Sequence, residues 1–337
     1  MPMPSEPTVD GVVPVTGEDP VGILRFQNGN AKMDKVTISA KLPLPPEDKQ
    51  YEAWLVDDDG ESSRSIGLLT RNEQGQYTLT FVDAQSQNLL SQYNRMEITL
   101  EPNPDDNPNS SRDVAYSGYL PFASLDHIRH LMFSTTETPG EAAVTTGLLN
   151  EITLIKQAAD AMTAAYDTGD RAGAKANAET IVNLIVGRET FDYYKDWNGD
   201  GTVSDPSDGY GLLINGDQAG YLDGMIHHSS YAADAPGATS GIKLHAEHVE
   251  ICIKNLEAWT AELRDIALNI ARAAENQDIE ADVRTASTLA DHMLNGVDIN
   301  GNESIDPIAG EGGALTAIEH AGYMSDIPIL PGENREP

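Results

Sequence analysis

The chain has 337 residues, and its 54 acidic and 21 basic side chains give a formal net charge of −33. This charge excludes nucleic acid and anionic membranes as partners, and it suits divalent cations, saline surroundings or a basic partner. A plain adaptation to solubility and salt is the alternative explanation. The length predicts two or more domains. The single cysteine, Cys252, excludes an intrachain disulfide, and no apolar run approaches the roughly 18 residues of a membrane span.

Residues 1–20 are rich in Pro, Gly, Asp and Glu, which predicts an extended leader or linker. The opening Met1-Pro-Met-Pro-Ser-Glu-Pro7 lacks the basic and apolar parts of a signal peptide. Two interpretations are open, namely a cytoplasmic protein or one whose targeting segment has been removed.

Residues 21–121 predict an antiparallel β-sandwich. Short segments that are apolar or alternate apolar and polar residues recur at regular spacing, with Gly, Pro and Asn turns between them. The predicted strands are 22–26, 35–41, 51–56, 65–69, 76–81 and 95–100.

Five motifs within residues 21–121 resemble, in their order, the extracytoplasmic C-terminal domain of anti-sigma-K factors. They are Lys41-Leu-Pro-Leu-Pro-Pro46, Tyr51-Glu-Ala-Trp-Leu-Val-Asp57, Gly67-Leu-Leu69, Ile98-Thr-Leu-Glu-Pro102 and Tyr116-Ser-Gly118. The family's zinc-binding helical head and its membrane span have no counterpart here, so sigma-factor inhibition does not carry over. The resemblance implies a β-sandwich of the kind found outside the bacterial membrane.

Residues 122–330 change to a helical period and predict an α-helical bundle made of two repeats, about 122–232 and 233–330, with a tail at 331–337. Apolar residues mark the helix faces at Leu148, Ile152, Ile155, Ala159, Met162, Tyr166, Ala178, Ile181, Leu184, Ile185, Val249, Ile253, Leu256, Trp259, Leu263, Ile266, Ile270, Val283, Ala286, Leu289 and Met293. Ala219-Gly-Tyr-Leu222 and Ala321-Gly-Tyr-Met324 indicate a duplicated helix. This region resembles bacterial helical proteins with EF-hand-like or dockerin-like calcium loops, which implies no particular function.

A predicted calcium loop lies in each repeat, because oxygen-bearing side chains alternate as in D-x-[DN]-x-[DN]-G. The first loop lacks an acid at position 12, where Ser207 stands, and the second has Glu303 in place of the turn glycine. An ion-free, Asx-rich turn is the alternative for both loops. The candidate ligands are Asp196, Asn198, Asp200, the Thr202 carbonyl and Asp205 or Asp208 in the first loop, and Asp298, Asn300, Asn302, Ser304, Asp306 and Glu311 in the second.

Histidine is the second candidate ligand type. His127 and His130, like His245 and His248, are spaced i, i+3 and share a helix face, and Glu250 follows the second pair. Such groups in a bundle bind transition metals or haem. The alternative is ordinary surface and helix-end histidine, since the alignment of the two Ala-Gly-Tyr segments sets His320 opposite Gln218. The remaining histidines are His227, His228 and His292.

Three functional hypotheses follow. The first is a non-enzymatic, extracytoplasmic calcium-binding protein with an interaction or surface-assembly role, acting on a protein partner or on copies of itself. The second is a redox or metal carrier that uses the histidines, with a transition metal or haem. The third is a sensor domain derived from an anti-sigma factor. The sequence has no nucleophile, phosphate-loop or dinucleotide motif, so neither an enzyme nor a small-molecule substrate is predicted.

Overall fold

The computed structural model describes residues 19–190 and 192–333. These residues form two compact units. The first unit combines the described parts of Met1–Arg129 and Gly322–Pro337 with Tyr231–Ala246, and the second contains His130–Ser230 and Glu247–Ala321. The predicted leader lies outside the described residues except for residues 19 and 20, and so do residues 334–337 of the predicted tail.

The first unit contains an antiparallel sheet of nine strands within the described residues. The six strands predicted from the sequence are all present, with ends shifted by a few residues. The strands are β1 (Gly22–Gln27), β2 (Lys35–Ala40), β3 (Lys49–Asp57), β4 (Ser63–Leu68), β5 (Thr70–Arg71), β6 (Tyr77–Val82), β7 (Tyr93–Pro102), β8 (Val114–Tyr119) and β9 (Ile327–Pro331).

The strand order is β4-β3-β7-β8-β9-β1-β2-β6-β5, so the hydrogen-bonded sheet is continuous. Its two edge strands, β4 and β5, are separated in the chain by Leu69 alone. The sheet therefore curls until its edges approach each other, which gives a near-barrel rather than the predicted sandwich of two sheets. Alternation of side chains in β2 buries Val36, Ile38 and Ala40 on its inner face.

Strand β9 was not predicted, and it fills the place between β8 and β1. Gly22 pairs with Ile329 on one side, and Tyr116 pairs with Pro331 on the other. The Arg25 guanidinium donates to both carboxylate oxygens of Asp326 at 2.6–3.1 Å, just before the strand begins. A single short apolar run within a helical region gave too little periodicity to indicate a strand.

Seven α-helices occur in the described residues, so the predicted mixture of β and α structure is confirmed. The two-repeat organisation of the helices remains a prediction. The helices are α1 (Phe122–Met132), α2 (Val144–Asp167), α3 (Arg171–Val186), α4 (Gly220–Asp234), α5 (Ser240–Ala271), α6 (Glu280–Asn295) and α7 (Ala314–Tyr323).

Helix α2 packs against α3 and α6 in the second unit. Most of the apolar positions named from the sequence are buried, with Leu148, Ile152 and Ile181 fully so. Tyr166, Trp259 and Ile266 are half-buried. The turn between α2 and α3 forms as its residues suggest, because the Asp170 side chain accepts from the Gly173 backbone N–H at 2.9 Å and caps α3. This packing holds the two loops that follow α3 and α6.

Candidate metal-binding sites

The first histidine group is carried by α1 and α4. The rings of His130 and His228 have centroids 4.8 Å apart and meet edge to face. His127 lies one turn before His130 on α1, and residues three apart share a helix face. The three side chains place their ligand atoms within 4.8 Å of one another. His228 is buried, whereas the other two are half-buried.

The second group is carried by α5 and α7. The ring centroids of His248 and His320 lie 4.6 Å apart, and their Nδ1 atoms are separated by 3.3 Å. His245, one turn before His248, completes a group whose ligand atoms again lie within 4.8 Å of one another. Burial lowers the pKa of His248, which favours the neutral imidazole that metal ligation requires.

Each group also contains a tyrosine in an equivalent place. The ring of His127 packs on Tyr231, and that of His245 packs on Tyr323, both with centroids 5.2 Å apart. On the partner helix, the histidine precedes the tyrosine by three residues in both cases. The two groups therefore have the same spacing on both of their helices.

This shared layout changes the alignment of the two halves. It matches His320 with His228, whereas the Ala-Gly-Tyr letters had matched His320 with Gln218. Letter matching failed because Ala-Gly-Tyr recurs at different places relative to the histidine. The motif His-x-x-Tyr occurs in both α4 and α7, where it ends at Tyr231 and at Tyr323. Aligning these two motifs would have matched His228 with His320.

The acidic neighbours of the histidines differ from the prediction. Glu137 was not predicted, and its Oε2 lies 3.3 Å from His228 Nε2. Glu250 instead accepts from Lys254 Nζ at 2.5 Å on the surface of α5. The other two histidines lie elsewhere. His227 is exposed with its Nδ1 3.4 Å from the Asp223 carboxylate, and His292 packs on Trp259.

The front half of the first predicted calcium loop forms a tight, exposed turn. The Asp196 carboxylate accepts from the backbone N–H groups of Gly199 and Gly201 at 2.7 and 2.9 Å. The Asn198 side chain accepts from Asp200 N, and the Asp200 side chain accepts from Thr202 N. These bonds order the turn and direct the predicted oxygen ligands toward the same short segment.

Glu179 of α3 is a loop residue that sequence reasoning missed. It is fully buried, and its carboxylate accepts backbone N–H bonds from Trp197, Asn198 and Ser204 at 2.9–3.0 Å. An acid among the apolar residues of α3, next to Ala178, was the available signal. Glu179 therefore anchors the loop to α3 through hydrogen bonds.

Asp205 and Asp208, predicted to close the first loop, have other partners. Asp205 Oδ2 accepts from Arg188 Nε and from Tyr194 OH, both at 3.1 Å. Asp208 Oδ2 accepts from Tyr221 OH at 2.8 Å. Among the hydrogen bonds of the described residues, none joins either carboxylate to the Asp196 turn.

Glu151 of α2 is a second missed residue, and it lies beside these two acids. It is fully buried, and its Oε1 contacts the Ser207 hydroxyl. Burial, followed by the charges of Asp208 and Asp205, raises the pKa of Glu151 to about 9. The first predicted loop thus contains an exposed turn and a separate acidic cluster, in which Glu151 is buried and Asp208 is exposed.

Glu311, the predicted closing residue of the second loop, lies beside that loop. Glu311 is fully buried, its Oε2 lies 3.1 Å from Asn300 Nδ2, and its Oε1 accepts from Asp306 N at 2.7 Å. Asp306 Oδ2 accepts from Asn302 Nδ2 at 2.7 Å. Asp298 accepts from Gly301 N and Glu303 N, and Asn302 Oδ1 accepts from Ser304 N. Hydrogen bonds from these backbone groups, that of Glu303 foremost, lower the pKa of Asp298.

None of the helices in the described part of the chain combines the length and the apolar character that crossing a bilayer requires. Residues 9–113 match the family model described as anti-sigma-K factor rskA, C-terminal. No curated protein and no solved structure significantly matches the chain. The match confirms the resemblance seen in the sequence, and it places the N-terminal region among domains related to the C-terminal part of anti-sigma-K factors.

Proposed function

We propose that this chain is an extracytoplasmic, non-enzymatic protein that binds transition-metal ions through its two histidine groups. The observation that carries the proposal is the pair of three-histidine groups with the same spacing on their helices. Neutral imidazole is a preferred ligand of Zn²⁺, Cu²⁺, Ni²⁺ and Fe²⁺. Three histidines with one open position form a common zinc arrangement.

The ligand spacing in the second group supports a bare ion. Two nitrogens bound to one tetrahedral metal at about 2.0–2.1 Å lie about 3.3 Å apart. The Nδ1 atoms of His248 and His320 are 3.3 Å apart. Axial ligands of a haem lie on opposite sides of the iron, about 4 Å apart, with the porphyrin plane between them. The observed spacing therefore favours an ion over haem.

The N-terminal sheet supplies the second part of the proposal. Its relation to anti-sigma-K factors supports a protein-binding or sensing module that acts outside the cytoplasmic membrane. The net charge of −33 favours a partner with a basic surface. Metal binding on the helices would then be the signal, and protein contact through the sheet would be the response.

The test is metal titration of the full chain, purified without a histidine tag and stripped with chelator. We expect two Zn²⁺ ions per chain by calorimetry, and d–d absorption typical of tetrahedral sites with Co²⁺. His228→Ala and His320→Ala should each remove one ion. His227→Ala is the matched control, because His227 is the exposed neighbour of His228, and it should retain both. A wild-type chain that binds neither metal, or an equal loss in the control, would overturn the proposal.

Calcium binding at the two loops is a second candidate. The observation that favours it is the buried Glu311 carboxylate, which reaches Asn300 and Asp306 as a closing ligand would. Binding energy would then add to the stability of the folded chain. Thermal melts with calcium and with chelator provide the test, and Asp298→Asn should reduce the difference by the contribution of the second loop. Identical melting temperatures in the wild type would count against it.

A further inference from the structure

The buried carboxylate of Glu151 is the feature that the histidine sites leave unexplained. Glu151 lies in α2 and has no exposed surface. Its Oε1 contacts the Ser207 hydroxyl, so the side chain points into the Asp205–Asp208 segment. Within the part of the chain that the structure describes, its Oε2 has no hydrogen-bond partner. A buried carboxylate oxygen without a donor is costly unless something else compensates its charge.

The surroundings of Glu151 add negative charge rather than compensate it. Asp208 accepts only from neutral donors, which are the Tyr210 backbone N–H and the Tyr221 hydroxyl, both at 2.8 Å, and the Ser207 hydroxyl at 3.5 Å. Burial together with the neighbouring Asp208 and Asp205 charges also raises the pKa of Glu151. The cluster is therefore built around two carboxylates that lack a cationic partner of their own.

Arg188 lies beside the cluster, and its guanidinium already has partners. The Arg188 guanidinium donates to Asp205 Oδ2 at 3.1 Å, to Ser207 O at 2.7 Å and to Asp208 O at 3.2 Å. When cation binding displaces the Glu151 proton, three ionised carboxylates beside one guanidinium leave two negative charges, which one divalent cation would neutralise. The guanidinium thus fixes the backbone of the segment and the Asp205 side chain.

The fold supports the cluster from the side of α4. Gly147 lies one turn before Glu151 on α2, and a Cβ atom there would collide with the Tyr221 ring. The missing side chain lets Tyr221 pass close to α2 and donate to Asp208. Gly147 and Tyr221 therefore help to position Asp208 near Glu151.

We propose that Glu151, Asp208 and the Ser207 hydroxyl bind one hard divalent cation of the Ca²⁺ class. All of the donor atoms are oxygens, and two are carboxylates, which suit Ca²⁺ rather than the borderline metals that prefer imidazole. The flexible coordination of Ca²⁺ tolerates an irregular donor set better than the strict octahedron of Mg²⁺ does. The site is independent of the histidine groups and separate from the Asp196 turn.

The consequence of binding would be a link between α2 and the segment after the first turn. Ser207 and Asp208 lie in that segment, and Glu151 lies on the helix beneath it. A bound cation would replace repulsion between Glu151 and Asp208 with attraction to a shared ion. The segment would then be held more tightly to the helix when calcium is present.

The experiment is terbium luminescence and calcium stoichiometry on the full chain, stripped of metal. Tb³⁺ is the probe because it replaces Ca²⁺ and emits when a nearby tyrosine is excited, and Tyr221 donates directly to Asp208. We expect sensitised emission that Ca²⁺ displaces. Glu151→Gln should weaken Ca²⁺ affinity at this site by about tenfold or more and lower the stoichiometry by one ion.

Asp208→Asn is the second variant, and it should give the same loss if Glu151→Gln fails to fold by circular dichroism. Asp298→Asn and Asp196→Asn are the matched controls, and they should retain the Tyr221-sensitised emission, whatever happens at the loops they belong to. Absence of sensitised emission in the wild type overturns the proposal. Unchanged stoichiometry and affinity in a folded Glu151→Gln chain also overturns it, even where the histidine groups bind zinc normally.

Discussion

The buried acids of the two units are held in different ways. In the sheet unit, Asp34 has no exposed surface and accepts three backbone N–H bonds, from Gly29, Asn30 and Ala31. Asp83 is almost fully buried and accepts from the Gln85 and Gln87 backbones and from Arg64. The hydrogen bonds to each of these carboxylates compensate for its removal from water.

The helical unit contains both kinds of buried acid. Glu179 resembles the sheet carboxylates, since it accepts three backbone N–H bonds. Glu151 is equally buried but has only the Ser207 hydroxyl against one of its oxygens. The difference shows that burial of an acid does not by itself indicate a binding site. The number of hydrogen bonds that a buried carboxylate accepts distinguishes a structural acid from a candidate cation ligand.

The largest expected effect is in the sheet unit, with Asp83→Ala. This change leaves two backbone N–H groups and the Arg64 guanidinium without their acceptor. We expect the free energy of unfolding to fall by about 3 kcal/mol. Urea denaturation followed by circular dichroism measures it.

Asp106→Ala is the control for Asp83, because Asp106 is exposed. It should change stability by less than about 0.5 kcal/mol. An Asp83→Ala chain as stable as this control would show that the donors around Asp83 are satisfied by water instead, and the contrast between the two units would lose its basis.

A smaller loss is expected for Glu179→Gln in the helical unit. The amide keeps one acceptor oxygen. Its NH₂ group replaces the other carboxylate oxygen and cannot accept the backbone N–H hydrogen bonds made there. We expect a loss of about 2 kcal/mol. Hydrogen exchange at Trp197, Asn198 and Ser204 gives a second readout, since those amides should lose protection. Retained protection would mean that the loop does not depend on Glu179.

Much of the fold could be predicted from local pattern. Alternation identified β2, and the 3.6-residue period identified α2, α3 and α5, because each buries one continuous face. Strand β9 could not be found in this way. Its place in the sheet depends on pairing with β1 and β8, which lie more than 200 residues earlier in the chain. Sheet closure was missed because it depends on the strand order, which places β4 and β5 at opposite edges although they are neighbours in the chain.

The candidate sites were only partly predictable. The spacing of His127 and His130 was visible, but the approach of His228 depends on how α1 and α4 pack. In the first loop the alternating acids predicted a single calcium cage. Among the hydrogen bonds of the described residues, none joins Asp208 to the Asp196 turn, and the neighbouring Ser207 contacts Glu151, which lies more than 50 residues earlier. Packing between distant segments brings these side chains together, and the local spacing of residues in the sequence does not indicate it.

The last and smallest expected effect is a gain in stability for Glu151→Gln in calcium-free buffer. The folded-state pKa of Glu151, about 9, lies above its ordinary value of 4.5, so the fold favours the protonated acid. The stability that this group contributes is therefore complete below pH 4.5 and is lost as pH rises toward 9. Gln has no charge and avoids this loss.

At pH 7 the loss for the wild type has a ceiling between about 3 and 4 kcal/mol, since each pH unit above 4.5 is worth about 1.4 kcal/mol. Relaxation of the cluster reduces it, and we expect Glu151→Gln to gain about 1 kcal/mol at pH 7 and little at pH 4.5. Denaturation across that pH range measures the gain. Added calcium should remove it by stabilising the wild type more than the variant. A Glu151→Gln chain that loses stability at pH 7, as Glu179→Gln is expected to, would place Glu151 with the structural carboxylates.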